Sequence, residues 1–144
     1  MSSYLTFYLV PKKDKGEIKE PLSLMSYSRN SDIYQAFNEN INVAYIGNDD
    51  KPNYTELTKE MVDNVVNATK KDYDEAQKNF NARMDAYRSV KLEGEAFDEY
   101  VEDFQSTTVY LKELEETIIR IELIASMVDD LEYSDFEKVL INID

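Results

Sequence analysis

The sequence predicts an α+β fold that is mostly α: a long antiparallel two-helix hairpin, coiled-coil-like, carrying a small head of N-terminal β-hairpin and short helix. The C-terminal segment is a candidate third strand. Three observations predict this. Two stretches, 62–90 and 97–128, carry apolar residues at seven-residue intervals; Gly94, the only glycine of that region, lies between them; and an aromatic, β-favouring segment opens the chain. At 144 residues the chain fits one ordinary domain. Within it, residues 1–57 are read as the head, 58–131 as the hairpin with its turn near 92–95, and 132–144 as a segment packing back on the head.

The first strand is expected from Tyr4 to Val10, stopped by Pro11, which has no amide proton to give a ladder. Leu5, Phe7 and Leu9 fall on one side and Tyr4, Tyr8 and Val10 on the other, so both faces are expected to be covered. A polar stretch through Gly16 and Pro21, rich in lysine, separates it from a second run, Leu22 to Tyr27, as in a long-looped hairpin. The lysines are read as a solvated loop rather than a contact site. Ser31 is placed to cap a short helix from Asp32 to Phe37, with Asp32 at its positive end. Ile41 to Ile46 fits either a helix end or a strand, and Gly47 to Asn53 a loop. Asp49 and Asp50 lack the alternating ligands and distal Glu of an EF-hand, so an ordinary turn is favoured over a calcium site.

Thr58 is the expected N-cap of the first long helix, with Leu57 and Val62 spaced as a hydrophobic staple and Glu60 in the first turn. Val66, Tyr73, Phe80 and Tyr87 form one row; Val62, Thr69, Ala76, Arg83 and Val90 form the companion, imperfect at Thr69 and Arg83. Past Leu92-Glu93-Gly94-Glu95, Phe97, Phe104, Leu111, Ile118 and Ala125 alternate with Tyr100, Thr107, Leu114, Ile121 and Val128. A short connection makes the arms antiparallel neighbours, each on the order of 50 Å long at the α-helical rise. From Ile118 onward a second stripe, Ile119, Leu123, Ile124 and Met127, is expected to pack on the head, leaving an exposed acidic tip. Ser134-Asp135-Phe136-Glu137 has capping-box spacing, whereas Val139 to Ile143 is β-branched enough for a strand.

Composition narrows the chemistry. The chain has no Cys, His or Trp, which excludes thiol nucleophiles, imidazole bases, and Cys or His zinc sites. A di-metal centre of the bundle type needs Glu-x-x-His pairs and is rejected. There is no Gly-rich phosphate loop, no nucleophile elbow and no basic-aromatic RNA-binding pattern. No cofactor, metal, small-molecule substrate or catalytic residue is expected. The start of the chain lacks a signal-peptide pattern and no apolar run reaches spanning length, so a soluble protein of the cytoplasm or a virion is expected.

Net charge is −14, and its placement is uneven. Residues 1–91 hold thirteen Lys/Arg against fourteen Asp/Glu, and residues 92–144 hold three against sixteen. An acidic segment repels phosphates, which argues against direct nucleic-acid or membrane contact and for a solvated face or a protein partner. The candidate partner-binding residues are Glu93, Glu95, Asp98, Glu99, Glu102, Asp103, Tyr110, Glu113 and Glu116. Their carboxylates also satisfy the spacing for acid/base pairs, but a charged run opposite an apolar seam is ordinarily the wet face of a helix. The eleven tyrosines are read mostly as core, with Tyr110 among those lying beside the seams.

The stretches Tyr4-Leu-Thr-Phe-Tyr-Leu-Val-Pro-Lys-Lys, Ser26-Tyr-Ser-Arg-Asn-Ser-Asp-Ile-Tyr-Gln-Ala-Phe and Asp135-Phe-Glu-Lys-Val-Leu-Ile-Asn-Ile-Asp together resemble small uncharacterised proteins of tailed bacteriophages. The resemblance implies a phage setting and carries over no functional residue. The expected function is a non-enzymatic protein-protein interaction module, a phage structural or accessory component that self-associates as a homo-oligomer or binds a protein partner. The alternative is an acidic DNA mimic that inhibits a nucleic-acid-binding host defence enzyme, of the anti-CRISPR or anti-restriction type.

Overall fold

The computed structural model describes residues 3–12, 20–41 and 54–143. The expectations for Ile41 to Ile46 and for the Gly47 to Asn53 loop therefore fall, Ile41 apart, outside the described residues. Along the chain come β1 (Tyr4–Pro11), β2 (Leu22–Ser28), α1 (Asp32–Asn40), β3 (Thr55–Glu56), α2 (Lys59–Arg88), α3 (Glu95–Asp129), a 3₁₀ turn (Leu131–Tyr133) and β4 (Phe136–Ile143). The fold is α+β, mostly helical, with two long helices and a four-stranded antiparallel sheet in the order β2-β1-β4-β3.

The sheet is larger than the small hairpin head expected. β4 runs beside β1 with Leu5 opposite Ile143 and Leu9 opposite Val139, and Thr55 and Glu56 add a short rung against Ile141 and Leu140. The β-branched content of 139–143 wins over the capping-box spacing. Ser134 instead closes the 3₁₀ turn, donating to the Leu131 carbonyl at 2.8 Å and accepting from the Phe136 amide at 3.1 Å.

β1 is packed unequally on its two sides. Leu5, Phe7 and Leu9 are buried, and Val139, Ile141 and Ile143 of β4 lie in the same cluster. Over them sit Ile33, Tyr34 and Phe37 of α1, Val62, Val65 and Val66 of α2, and Ile121 and Ile124 of α3. Phe7 meets Phe37 edge to face with ring centres 5.3 Å apart. The helices of this core cover one side of the sheet, and the second side, also expected to be covered, is covered only in part: Tyr4 is exposed, and Thr6, Tyr8 and Val10 are half-buried. On that second side Tyr54 packs edge to face on Tyr8 at 4.9 Å, and Leu140, opposite Tyr8, is buried. One contiguous core thus draws on head, hairpin and tail together.

The helix starts follow from local chemistry. Ser31 Oγ accepts from the Tyr34 amide, and Thr58 Oγ1 from the Met61 amide, each at 3.3 Å, which satisfies amides that have no intrahelical partner. Leu57 and Val62 are both fully enclosed, as a staple requires. Gly94, at φ +60° and ψ −128°, occupies a backbone region that side-chain-bearing residues rarely adopt and ends the short connection from Arg88, so that α3 starts at Glu95. Cross-hairpin pairs fix the antiparallel register: Lys59 with Asp129, Lys70 with Glu122, Arg83 with Asp103, and Tyr87 with Tyr100.

Two details of the apolar rows differ from expectation. Of the second stripe only half faces the head: Ile124 is buried in the core and Met127 packs against it, whereas Ile119 and Leu123 are 53% and 66% exposed. On α2, Arg83 drops out of the seam and Met84 is buried in its place. Thr69 stays in the seam and Thr117, outside the expected rows, is buried as well, each hydroxyl donating at 2.8 Å to the carbonyl four residues back.

Candidate functional site

The hairpin tip lies beyond the reach of the core, whose last members on the two long helices are Val66 and Ile121. Towards the tip the seam becomes aromatic. Phe80 and Phe104 have ring centres 5.9 Å apart, Tyr87 and Tyr100 meet edge to face at 5.4 Å, and Tyr100 lies 6.3 Å from Phe104. Among the described residues no third element packs on this end of the hairpin, and a cleft of about 440 Å³ opens there, lined by Phe80, Met84, Tyr87, Leu92, Tyr100 and Phe104. Asn81, Asp85 and Arg88 form its polar margin. Phe104 remains 46% exposed, and Phe97, about two helical turns nearer the connection, 49%.

The other flank of the hairpin is polar. Arg83 Nε donates to both carboxylate oxygens of Asp103, at 3.0 and 3.3 Å, and Nη2 donates to Asp103 Oδ1 at 3.2 Å. Nη2 also donates to Thr107 Oγ1 at 2.9 Å, and that hydroxyl donates on to Asp103 Oδ1 at 3.0 Å. The Arg83 hydrogen bonds, aided by Thr107 and working against desolvation, hold the Asp103 carboxyl below its ordinary range. Nearby, desolvation and then the negative charges of Asp103 and Glu99 push the Tyr87 phenol up.

The nine candidate residues are thereby divided among three places. Glu93, Glu95, Asp98, Glu99 and Glu102 are exposed at the tip. Asp103 is engaged by Arg83, and Tyr110, 49% exposed, borders a shallow cleft with Ala76, Asn79, Arg83, Ser106 and Thr107. Glu113 and Glu116 sit farther down α3 beside Thr117, Arg120 and the α1 start at Asn30, Ser31 and Asp32. From Glu102 to Glu113 the chain rises about 16 Å along the helix, so the nine do not form one continuous acidic row.

Five ion pairs occur among the described residues, and two belong to the tip: Arg88 with Asp85 at 3.0 Å and Lys91 with Glu93 at 3.1 Å. None of the five includes Glu95, Asp98, Glu99 or Glu102. Glu95 and Asp98 lie in the first turn of α3, where the helix dipole favours negative charge. Among the described residues no group of three or more Asp or Glu is placed to hold a metal ion. No helix among them is long and apolar enough to cross a membrane.

The aromatic cleft and the Arg83 fork were not singled out from the sequence. The signal for the first was the shift from aliphatic residues in the rows near Val62 and Ile121 to rings near Gly94. The signal for the second was an arginine in an apolar row with an aspartate at a matching remove beyond the turn. Comparison with protein families, with characterised proteins and with solved structures finds no match to this chain.

Proposed function

We propose that this chain is a non-enzymatic protein-protein interaction module, in the phage structural or accessory setting that its sequence resembles, and that the hairpin tip is its binding element. The observation that carries the reading is an open, ring-lined cleft placed away from the residues that hold the fold together. Apolar side chains left half-exposed in a cluster, bordered by charge, are the usual makeup of a protein-binding patch. A photo-crosslinking phenylalanine analogue at Phe97, introduced in cells that make the protein, tests it. A covalent adduct with a protein, absent when the analogue replaces Lys78 instead, is expected. Uncrosslinked chain at both positions would sink the reading.

A second reading is the DNA mimic, favoured by four tip carboxylates without an ion-pair partner among the described residues. Such a mimic must be displaced from its target enzyme by duplex DNA and must weaken steeply with salt. A complex insensitive to both excludes it.

A further inference from the structure

We propose that the outer edge of β2 pairs antiparallel with the same edge of a second copy of this chain, joining two four-stranded sheets about a two-fold axis. This goes beyond the reading of the tip as a binding element and stands apart from it.

The edge is open and unguarded. β2 ends the sheet, and among the described residues no strand lies on its far side. The Arg29 amide donates to the Ser3 carbonyl, so Arg29, Tyr27 and Met25 turn their backbone groups to β1, and Ser26 turns its amide and carbonyl outward. Sheet edges are ordinarily protected by charge, proline or brevity. The opposite edge has such protection, since β3 is two residues long and includes Glu56. β2 runs for seven residues, Leu22 to Ser28, without a charge or a proline, a length of about 24 Å. Its one irregularity is the bulge that leaves Leu24 without a partner on β1.

The order of residues along this edge selects the occupant. A two-fold contact needs a surface complementary to itself, and the edge has the same chemistry read from either end. With Glu20 of one copy opposite Arg29 of the other, Leu22 falls opposite Tyr27, Ser23 opposite Ser26 and Leu24 opposite Met25, and each match occurs twice. The faces agree as well. Leu22 and Tyr27 lie on the side of the sheet that carries Leu9 and Leu5, whereas Ser23 and Ser26 lie with Tyr8 and Thr6. A slip of one residue in either direction sets a serine against Leu22 and parts the charges. Leu22 and Leu24, 54% and 39% exposed, gain cover from the pairing. Glu20 and Arg29 are exposed, and neither belongs to the five ion pairs among the described residues. The contact also joins the nearly neutral part of each chain, because residues 92–144 hold three basic residues against sixteen acidic ones and residues 1–91 thirteen against fourteen.

Equilibrium sedimentation of the full chain over a range of concentrations tests this, with Glu20→Lys and Arg29→Glu as variants. Both positions are exposed and outside the core, and unchanged circular dichroism and melting confirm that each variant is folded. The parent is expected to dimerise reversibly. Either variant alone sets like charges opposite each other at both ends of the paired strands and weakens the dimer about tenfold or more, with a smaller loss at high salt. An equal mixture of the two variants restores the dimer, because a reversed pair then forms at one end and a native pair at the other. A parent that stays monomeric at every concentration, a dimer indifferent to both variants, or a mixture that restores nothing overturns the inference. So does a dimer that Phe104→Ala converts to monomer, since the copies then meet through their tips. Silence in the Phe97 crosslinking removes the tip reading and leaves the β2 edge untouched.

Discussion

Asp103 shows how one residue can be acidic in sequence and unavailable in structure. Its carboxylate takes three hydrogen bonds from Arg83 and one from Thr107. Because Arg83 is nearly half-exposed, solvent screens the pair, and its net contribution is about 1 kcal/mol or less. The sign of its pH dependence is set: a carboxyl whose folded value is depressed stabilises the fold fully above its ordinary value, here 3.8, and loses that contribution as pH falls through the lower folded value. Melting temperatures of the parent and Asp103→Asn should therefore differ at neutral pH and converge as pH drops below the ordinary value. A gap that stays constant into strong acid contradicts this. Thr69 and Thr117 lead to the opposite expectation. Each is buried and bonds only to its own helix backbone, an arrangement that adds little stability, so Thr69→Val with Thr117→Val should be neutral or stabilising by about 1 kcal/mol in urea titration. A loss of several kcal/mol would show that the hydroxyls have partners across the seam.

At the scale of the element, Gly94 governs the turn. A Cβ built there meets no atom within 4 Å, so Gly94→Ala pays only for the backbone conformation, about 1–3 kcal/mol, with no packing component. The penalty should be the same in a chain already lacking the Phe104 ring; strong coupling between the two in a double-mutant cycle would refute a purely local cost. This locality is also why so much of the hairpin was legible in the sequence. Caps at Ser31 and Thr58, the break at Gly94 and the seven-residue rows are written within a few positions of where they act. What sequence periodicity does not encode is which side of an all-round apolar helix finds a partner. Ile119 and Leu123 have the spacing of a buried stripe and yet face outward, because the sheet is already covered by α1, α2 and the Ile121 side of α3. The acidic candidate set failed to stay together for a related reason: a charge run in sequence is a spiral on a helix, and α1 and α2 meet different parts of it.

For the molecule as a whole, the decisive contact is the one with the greatest separation in sequence. β1 is sandwiched between β2 and β4, and Leu5 lies opposite Ile143, so the head closes only when both ends of the chain have arrived. The β-branched run 139–143 announced a strand returning to the head, but no local pattern set its place beside β1, since a strand's partner is chosen by the fold and not by its neighbours. β4 supplies Val139, Ile141 and Ile143 to the core, side chains whose burial contributes about 1.5–3 kcal/mol each. That sum is comparable to the whole stability of an ordinary domain, so a chain ending at Asp135 should lose cooperative melting. The same asymmetry sets an order of opening. Among the described residues the tip has no second layer: Phe97, Phe104, Val109 and Tyr110 are all about half-exposed, while Leu5, Phe7, Ile33 and Phe37 are sealed. Under native-state hydrogen exchange, amides of α2 beyond Tyr73 and of α3 before Leu111 should open at lower free energy than those of β1, β4 and α1, which exchange through global unfolding. A binding partner that fills the tip cleft should raise protection there first and leave the sheet unchanged. Equal opening free energies from tip to sheet in the unbound chain would mean that the hairpin and head unfold as one unit, and that the tip has no independent freedom to order around a ligand.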